Sequence, residues 1–300
     1  MNTSETDVRL PGRAVKDNRP SRIHLQSARR GQWWRFAVLL VFTAVVLVPV
    51  AAVFVLSLQP PVSEGSGASL AGGSLGLASF TYVLTQTATP QWLGNSLLVS
   101  LVTVMVSIVV AAPAGYVISR GRHRLVGAYA LLLFVIQSLP AIVTVIPLFI
   151  LFASLGLVDS LSGVVIIYVG GSLAVATWMM AAYFDSIPFS LEEAAWMDGC
   201  SLGGAFMRIV LRNSLPGVLS TAIFSFLVSW NDYLVAVIFL RSSDNFTLPV
   251  GLQTFFQQHT TDWGPVMAVS VIMLLPPIVV FAFLNRYFSI GGIGGALAGQ

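Results

Sequence analysis

Thr221, Ser225, Ser229 and Asp232 recur at spacings of four, four and three residues, so on a helix they share one face. A row of hydroxyls ending on a carboxylate, with Asn231 beside it, can hydrogen-bond a polyhydroxylated solute along a translocation path. The carboxylate could instead hold a proton or a cation. The same residue types also serve plain packing, because Ser and Thr let membrane helices approach closely. Asp232 would then sit with Trp230 and Tyr233 near a polar boundary. The residues leave these readings open.

A second group lies in the stretch DSIPFSLEEAAWMDGCSLGGAFMRIVLRNSL, residues 185–215. Ser190 and Glu193 have the S-x-x-E spacing of a capping box, in which hydroxyl and carboxylate satisfy orphan amides of the first turn. Gly199 can take the left-handed conformation that ends a helix. Between them, Ala194 and Ala195 present a small face that another backbone can approach, with Trp196 and Met197 offering apolar contact. The spacing predicts a short helix built as a docking knob for a partner protein, with Glu193, Ala194, Ala195, Met197, Asp198 and Gly199 as contact residues. A helix resting on lipid fits less well, because Glu192, Glu193 and Asp198 would face anionic headgroups. A second helical stretch, Leu202 to Leu211, follows.

Other chemistry is excluded by spacing. His24, His123 and His259 lie in three separate polar regions, and none has a partner four residues away, so no metal site is expected. The single cysteine, Cys200, rules out an internal disulfide framework. The sole lysine, Lys16, follows Val15, so there is no Gly-Lys-Ser/Thr loop to bind ATP. The glycines at 291, 292, 294 and 295 are not preceded by a strand and form no dinucleotide fingerprint. No catalytic residues, and no cofactor of its own, are expected of this chain.

The elements that must carry these residues are set by hydropathy. Of 300 residues, 56% are apolar and 9% charged, whereas a soluble domain carries about 25% charged residues. So few charges cannot cover a soluble surface. The net charge of +3 comes without a basic, aromatic-interleaved patch, so nucleic acid is not a partner.

Apolar runs at 34–58, 93–118, 128–152, 161–184, 218–240 and 266–288 each reach the roughly 20 residues that cross a bilayer as helix. Backbone satisfaction in lipid makes the fold class all-α, a polytopic bundle of about six transmembrane helices. The chain then divides into a charged tail at 1–33, expected to be disordered, and a first span at 34–58. An extracytoplasmic loop at 59–92 follows, rich in Gly and Ser. The bundle core at 93–288 includes the loop 185–215, and a Gly-rich tail fills 289–300. With this division, fourteen of the fifteen basic residues fall on one side and only Arg241 on the other. The positive-inside rule therefore puts both termini in the cytoplasm of a multi-pass cell-membrane protein. Trp33 and Trp34 at one boundary, and Trp92 and Trp263 at the other, suit interfacial belts. Prolines 49, 113, 140, 147, 276 and 277 fall inside spans, as hinges or as ordinary bends.

Glu193-Ala194-Ala195, three residues, Gly199, nine residues and Ile209-x-Leu211 together resemble the coupling-loop (EAA) signature of ATP-binding-cassette importer permeases. That family places Pro at the position of Arg212, and here Pro216 follows instead. WLGNSL at 92–97, FLVSWNDYLVAVIFL at 226–240, TLPVGL at 247–252, DWGPVMA at 262–268 and the ending RYFSIGGIGGALAG resemble the maltose-type sugar permeases. The resemblance covers residues 80–299. It implies a type I importer permease fold with a cytoplasmic coupling helix. It also implies transport of a sugar delivered by an extracytoplasmic binding protein, with a second permease subunit and two ATPase subunits that bind ATP and Mg. An ion-coupled secondary transporter using Asp232 is the alternative, but that mechanism gives the coupling loop no role.

Overall fold

The computed structural model describes residues 22–60, 75–256 and 262–292, and most of these are helical, joined by short turns and loops. By contact it divides into two units, 1–52 and 53–300. The first unit consists of most of helix α1, Arg22–Ser57, which holds the apolar stretch Trp33–Ser57 and has Pro49 inside it. The helix begins at Arg22 rather than at Trp34. The rest of the N-terminal tail, the Gly/Ser-rich loop over 61–74 and the tail after Gly292 lie outside the described residues.

The second unit carries α2 (Ala78–Thr85), α3 (Thr89–Arg120), α4 (Arg124–Ser138), α5 (Ala141–Ser154) and α6 (Leu161–Asp185). It continues through α7 (Ser190–Met197), α8 (Leu202–Ala205), a π-helical turn at Phe206–Val210, α9 (Leu211–Asn213) and α10 (Leu215–Asn231). The last helices are α11 (Leu234–Phe239), α12 (Leu248–Leu252) and α13 (Trp263–Gly292). Among the described residues four helices are long and apolar enough to cross a membrane, or six spans if each bent pair is counted as one.

Two expected spans are broken. The run 128–152 turns by 100° between α4 and α5. Pro140 has no N–H to donate and drives Leu139 into an extended conformation, with ψ 126°. The run 218–240 stops at Asn231, because Asp232 is extended, with ψ 127°. Its Oδ1 accepts from the Val235 and Ala236 amides at 3.0 and 3.3 Å, and so starts α11. A further bend of 76° separates Leu202–Asn213 from α10, just ahead of Pro216.

Helix α3 is the spine, packed chiefly on α6 and then on α10. Its buried face is a column of small and hydroxylated residues: Ser96, Ser100, Thr103, Ser107, Ala111 and Gly115. Small side chains allow the close contact that membrane helices use in place of a hydrophobic driving force. Ser107 and Ser172 hydroxyls meet at 3.1 Å. A Cβ at Gly115 would stand 2.8 Å from the Met180 Cβ and 2.9 Å from the Ala181 nitrogen.

At the other end of α3 the WLGNSL motif is a latch. Trp92 Nε1 donates to the Ser243 carbonyl at 3.0 Å, and Asn95 Nδ2 donates to the Asp244 and Phe246 carbonyls. The Leu248 amide donates to Ser96 Oγ at 2.7 Å. Trp92 is therefore a core residue, 4% exposed, and does not join an interfacial belt with Trp263. Its ring occupies the space that a Cβ at Gly251 of TLPVGL would need.

Candidate coupling site

Helix α7 forms where the sequence places it, but its start differs. Phe189 is the N-cap and Ser190 is already helical, so Ser190 and Glu193 make no capping box. Glu192 and Glu193 instead lie in the first turn, where carboxylates favour the helix dipole. The other end matches: Gly199 has φ +81°. There the Gly199 amide donates to the Trp196 carbonyl at 3.0 Å and the Cys200 amide to the Ala195 carbonyl at 2.9 Å. These bonds close the last turn, and a Cβ at Gly199 would meet open space but a strained backbone.

The helix has two unlike faces. Glu193, Ala194, Asp198 and Gly199 are exposed, Met197 is 88% exposed, and Ala195 is half-buried at the edge. On the opposite face Glu192 is fully buried. Its Oε1 accepts from Arg120 Nε at 2.7 Å, and its Oε2 accepts from the Tyr116 hydroxyl at 2.6 Å. Arg120 Nη2 also donates to the carbonyls of Phe184 and Ile187, at 2.9 and 3.0 Å. Sequence reading passed over Glu192, Arg120 and Tyr116 as working residues. Two adjacent glutamates at the head of a short helix were the available signal, but the arginine lies 72 positions away.

The polar stripe of α10 points largely inward. Thr221, Ser225 and Ser229 are buried in the subunit. Thr221 and Ser229 return their hydroxyls to the carbonyls of Gly217 and Ser225, each at 2.9 Å. Ser225 Oγ is buried with no protein partner among the described residues. Asn231 is exposed and donates to the Leu227 carbonyl. Asp232 is half-buried, and its Oδ1 accepts from the Tyr168 hydroxyl at 2.9 Å as well as from the α11 amides. The carboxylate thus joins α6, α10 and α11. No group of three or more His, Cys, Asp or Glu side chains able to hold a metal occurs among the described residues.

Known proteins share this architecture. Residues 104–289 match the family described as binding-protein-dependent transport system inner membrane component. The inner membrane ABC transporter permease protein YcjP of Escherichia coli is 36% identical over 205 residues, covering 68% of this chain and 73% of that protein. The trehalose transport system permease protein SugB of Mycobacterium tuberculosis is 31% identical over 278 residues, covering 91% of this chain and 99% of that protein. Among solved structures, the chain is similar to one in a bacterial ABC transporter involved in the import of the acidic polysaccharide alginate. That match has a TM-score of 0.75 and 22% identity, over 90% of this chain and 99% of the other. The match at 104–289 spans both the coupling loop and the α10 stripe, and with it the chain belongs to the family of binding-protein-dependent transport system inner membrane components, as a permease subunit of an ATP-binding-cassette transporter.

Proposed function

We propose that this permease imports a mono- or oligosaccharide handed over by an extracytoplasmic binding protein. In this reading a second permease subunit completes the path, and two cytoplasmic ATPase subunits carry the ATP and Mg. The observation that carries the coupling role is the outer face of α7, where Glu193, Ala194 and Met197 stand exposed on a helix closed by a left-handed glycine. A small-residue face held out by a buried anchor suits close approach by another protein. The sugar class rests on the end-to-end likeness to SugB. Polar groups are available for a polyhydroxylated solute at the exposed end of α10, at Asn231 and Asp232, with Ser225 and Ser229 behind them. Membership of the binding-protein-dependent family supports ATP-driven transport, and the ion-coupled alternative gives α7 no role.

The test alters the outer face without touching the α10 stripe. Gly199→Val strains the left-handed turn, and Ala195→Trp blocks close approach. The double variant is expected to reach the membrane but to lose co-purifying ATPase and sugar uptake. Full assembly and undiminished uptake would remove α7 as the docking element.

A further inference from the structure

Helix α7 is joined through the chain to α6 on one side and α8 on the other, yet its buried carboxylate is bound by α3. Each oxygen of Glu192 takes one short hydrogen bond from that helix, from Arg120 Nε and from the Tyr116 hydroxyl. The Arg120 fork reaches further. Nη2 closes on the last-turn carbonyl of α6 at Phe184 and on Ile187 in the link to α7. Nη1 donates to Ser119 Oγ, whose hydroxyl donates to Asp185 at the end of α6.

Aromatic packing holds the same node from two sides. The guanidinium lies 5.7 Å from the ring centre of Phe189, the residue that starts α7. The π-helical turn carries Phe206 against Tyr116 at 4.8 Å and against Phe184 at 6.0 Å between ring centres. π-Turns inside helices are recurrent at functional positions, and this one packs against the tyrosine that binds Glu192. A buried carboxylate with both oxygens engaged cannot shift without breaking charge-assisted bonds, so the node is stiff.

We propose that Arg120, seconded by Tyr116, is the positioning residue of the coupling helix. It fixes α7 to the ends of α3 and α6, so that a displacement imposed on the outer face of α7 moves both long helices as one body. This deepens the ATPase-docking reading of α7 and rests on it. Arginine is required rather than a generic cation, because only its planar fork serves a carboxylate and two carbonyls together. A lysine at 120 keeps the charge and loses that three-way geometry.

The experiment uses the assembled transporter in lipid nanodiscs, in a Cys200→Ser background. Spin labels at Val117 on the exposed side of α3 and at Leu191 on the flank of α7 report the distance between the two helices. The binding-protein-stimulated rate of ATP hydrolysis, divided by the unstimulated rate, reports coupling. Wild type is expected to give one narrow distance with and without ATP. Arg120→Ala and Glu192→Gln should broaden it and lower the stimulation ratio tenfold or more. Arg120→Lys and Tyr116→Phe should lower the ratio two- to fivefold, and they carry the test if the first pair fails to insert.

A distance that stays narrow in all four variants, with a ratio within twofold of wild type, overturns the proposal. So does a wild-type distance that changes when ATP binds, because the helices then do not move as one. A purely structural role would lower yield while leaving ratio and distance intact, and that outcome also overturns it. Failure of the docking reading looks different, since the Gly199→Val, Ala195→Trp double variant would then assemble and transport normally.

Discussion

Asp159 is the side chain that ties the α5–α6 loop to the loop after α11. It sits at φ 57°, a left-handed conformation that aspartate tolerates better than most residues. Its Oδ1 accepts from the Arg241 and Ser242 amides at 2.8 and 3.0 Å, and Oδ2 accepts from the Ser242 hydroxyl at 2.7 Å. Burial works to raise the carboxyl. The Ser242 and Arg241 amides, with the Ser242 and Asn245 side chains, outweigh that and hold it down at about 2. A folded value below the unfolded one means that the carboxylate form favours the fold. Its stabilisation is therefore present above about pH 4 and is lost as pH falls through about 2. Asp159→Asn should lower the unfolding temperature near neutral pH in detergent, and the variant should lose less stability than wild type on acidification across that window. Parallel acid curves for the two proteins would show that this clamp does not govern acid sensitivity.

At the level of elements, the α3–α6 contact depends on the absence of a side chain. Gly115 stands 2.9 Å, measured from an added Cβ, from both the Ala181 nitrogen and the Thr177 carbonyl oxygen. Those are backbone atoms, so no flexible side chain can move aside. Gly115→Val should force the helices apart at a cost of about 1–3 kcal/mol, seen as a lower unfolding temperature and a broadened elution profile. Gly170, in the same pair of helices, is exposed, and its Cβ would meet nothing within 4 Å. Gly170→Ala should therefore be tolerated, with a gain of up to about 1 kcal/mol from the better helix propensity of alanine. Similar losses for both variants would mean that close packing at Gly115 does not set the sensitivity of this pair.

For the whole molecule, the decisive property is which side of the membrane α7 occupies. By the positive-inside rule, the loops that carry Arg120, Arg122, Arg124, Arg208 and Arg212 are expected in the cytoplasm. Cys200 is free and half-buried just beyond α7, so it serves as a natural probe. It is expected to resist a membrane-impermeant thiol reagent in intact cells and to react after permeabilisation. A cysteine introduced by Ser66→Cys should label from outside without permeabilisation. Labelling of Cys200 in sealed cells would invert the topology and separate α7 from any ATPase.

By itself the sequence determined what depends on nearest neighbours and on solvent. Long apolar runs required helices in a bilayer, arginine placement implied an orientation, and Glu193-Ala194-Ala195 with Gly199 marked a short helix closed by a left-handed turn. It could not determine what depends on distant parts of the chain. The S-x-x-E spacing suggested a capping box, yet the structure starts the helix one residue earlier and turns Glu192 inward to an arginine 72 positions away. Hydropathy could not reveal that Trp92 is core, because that depends on a hydrogen bond to a carbonyl 151 positions away. Nor could it reveal that Asp232 ends α10, because a hydropathy average does not register a carboxylate that caps the amides three and four residues on. The stripe of Ser225 and Ser229 read equally well as path or packing. Only the tertiary structure buried those two hydroxyls in the subunit, because periodicity gives a helix face its direction and not its neighbour.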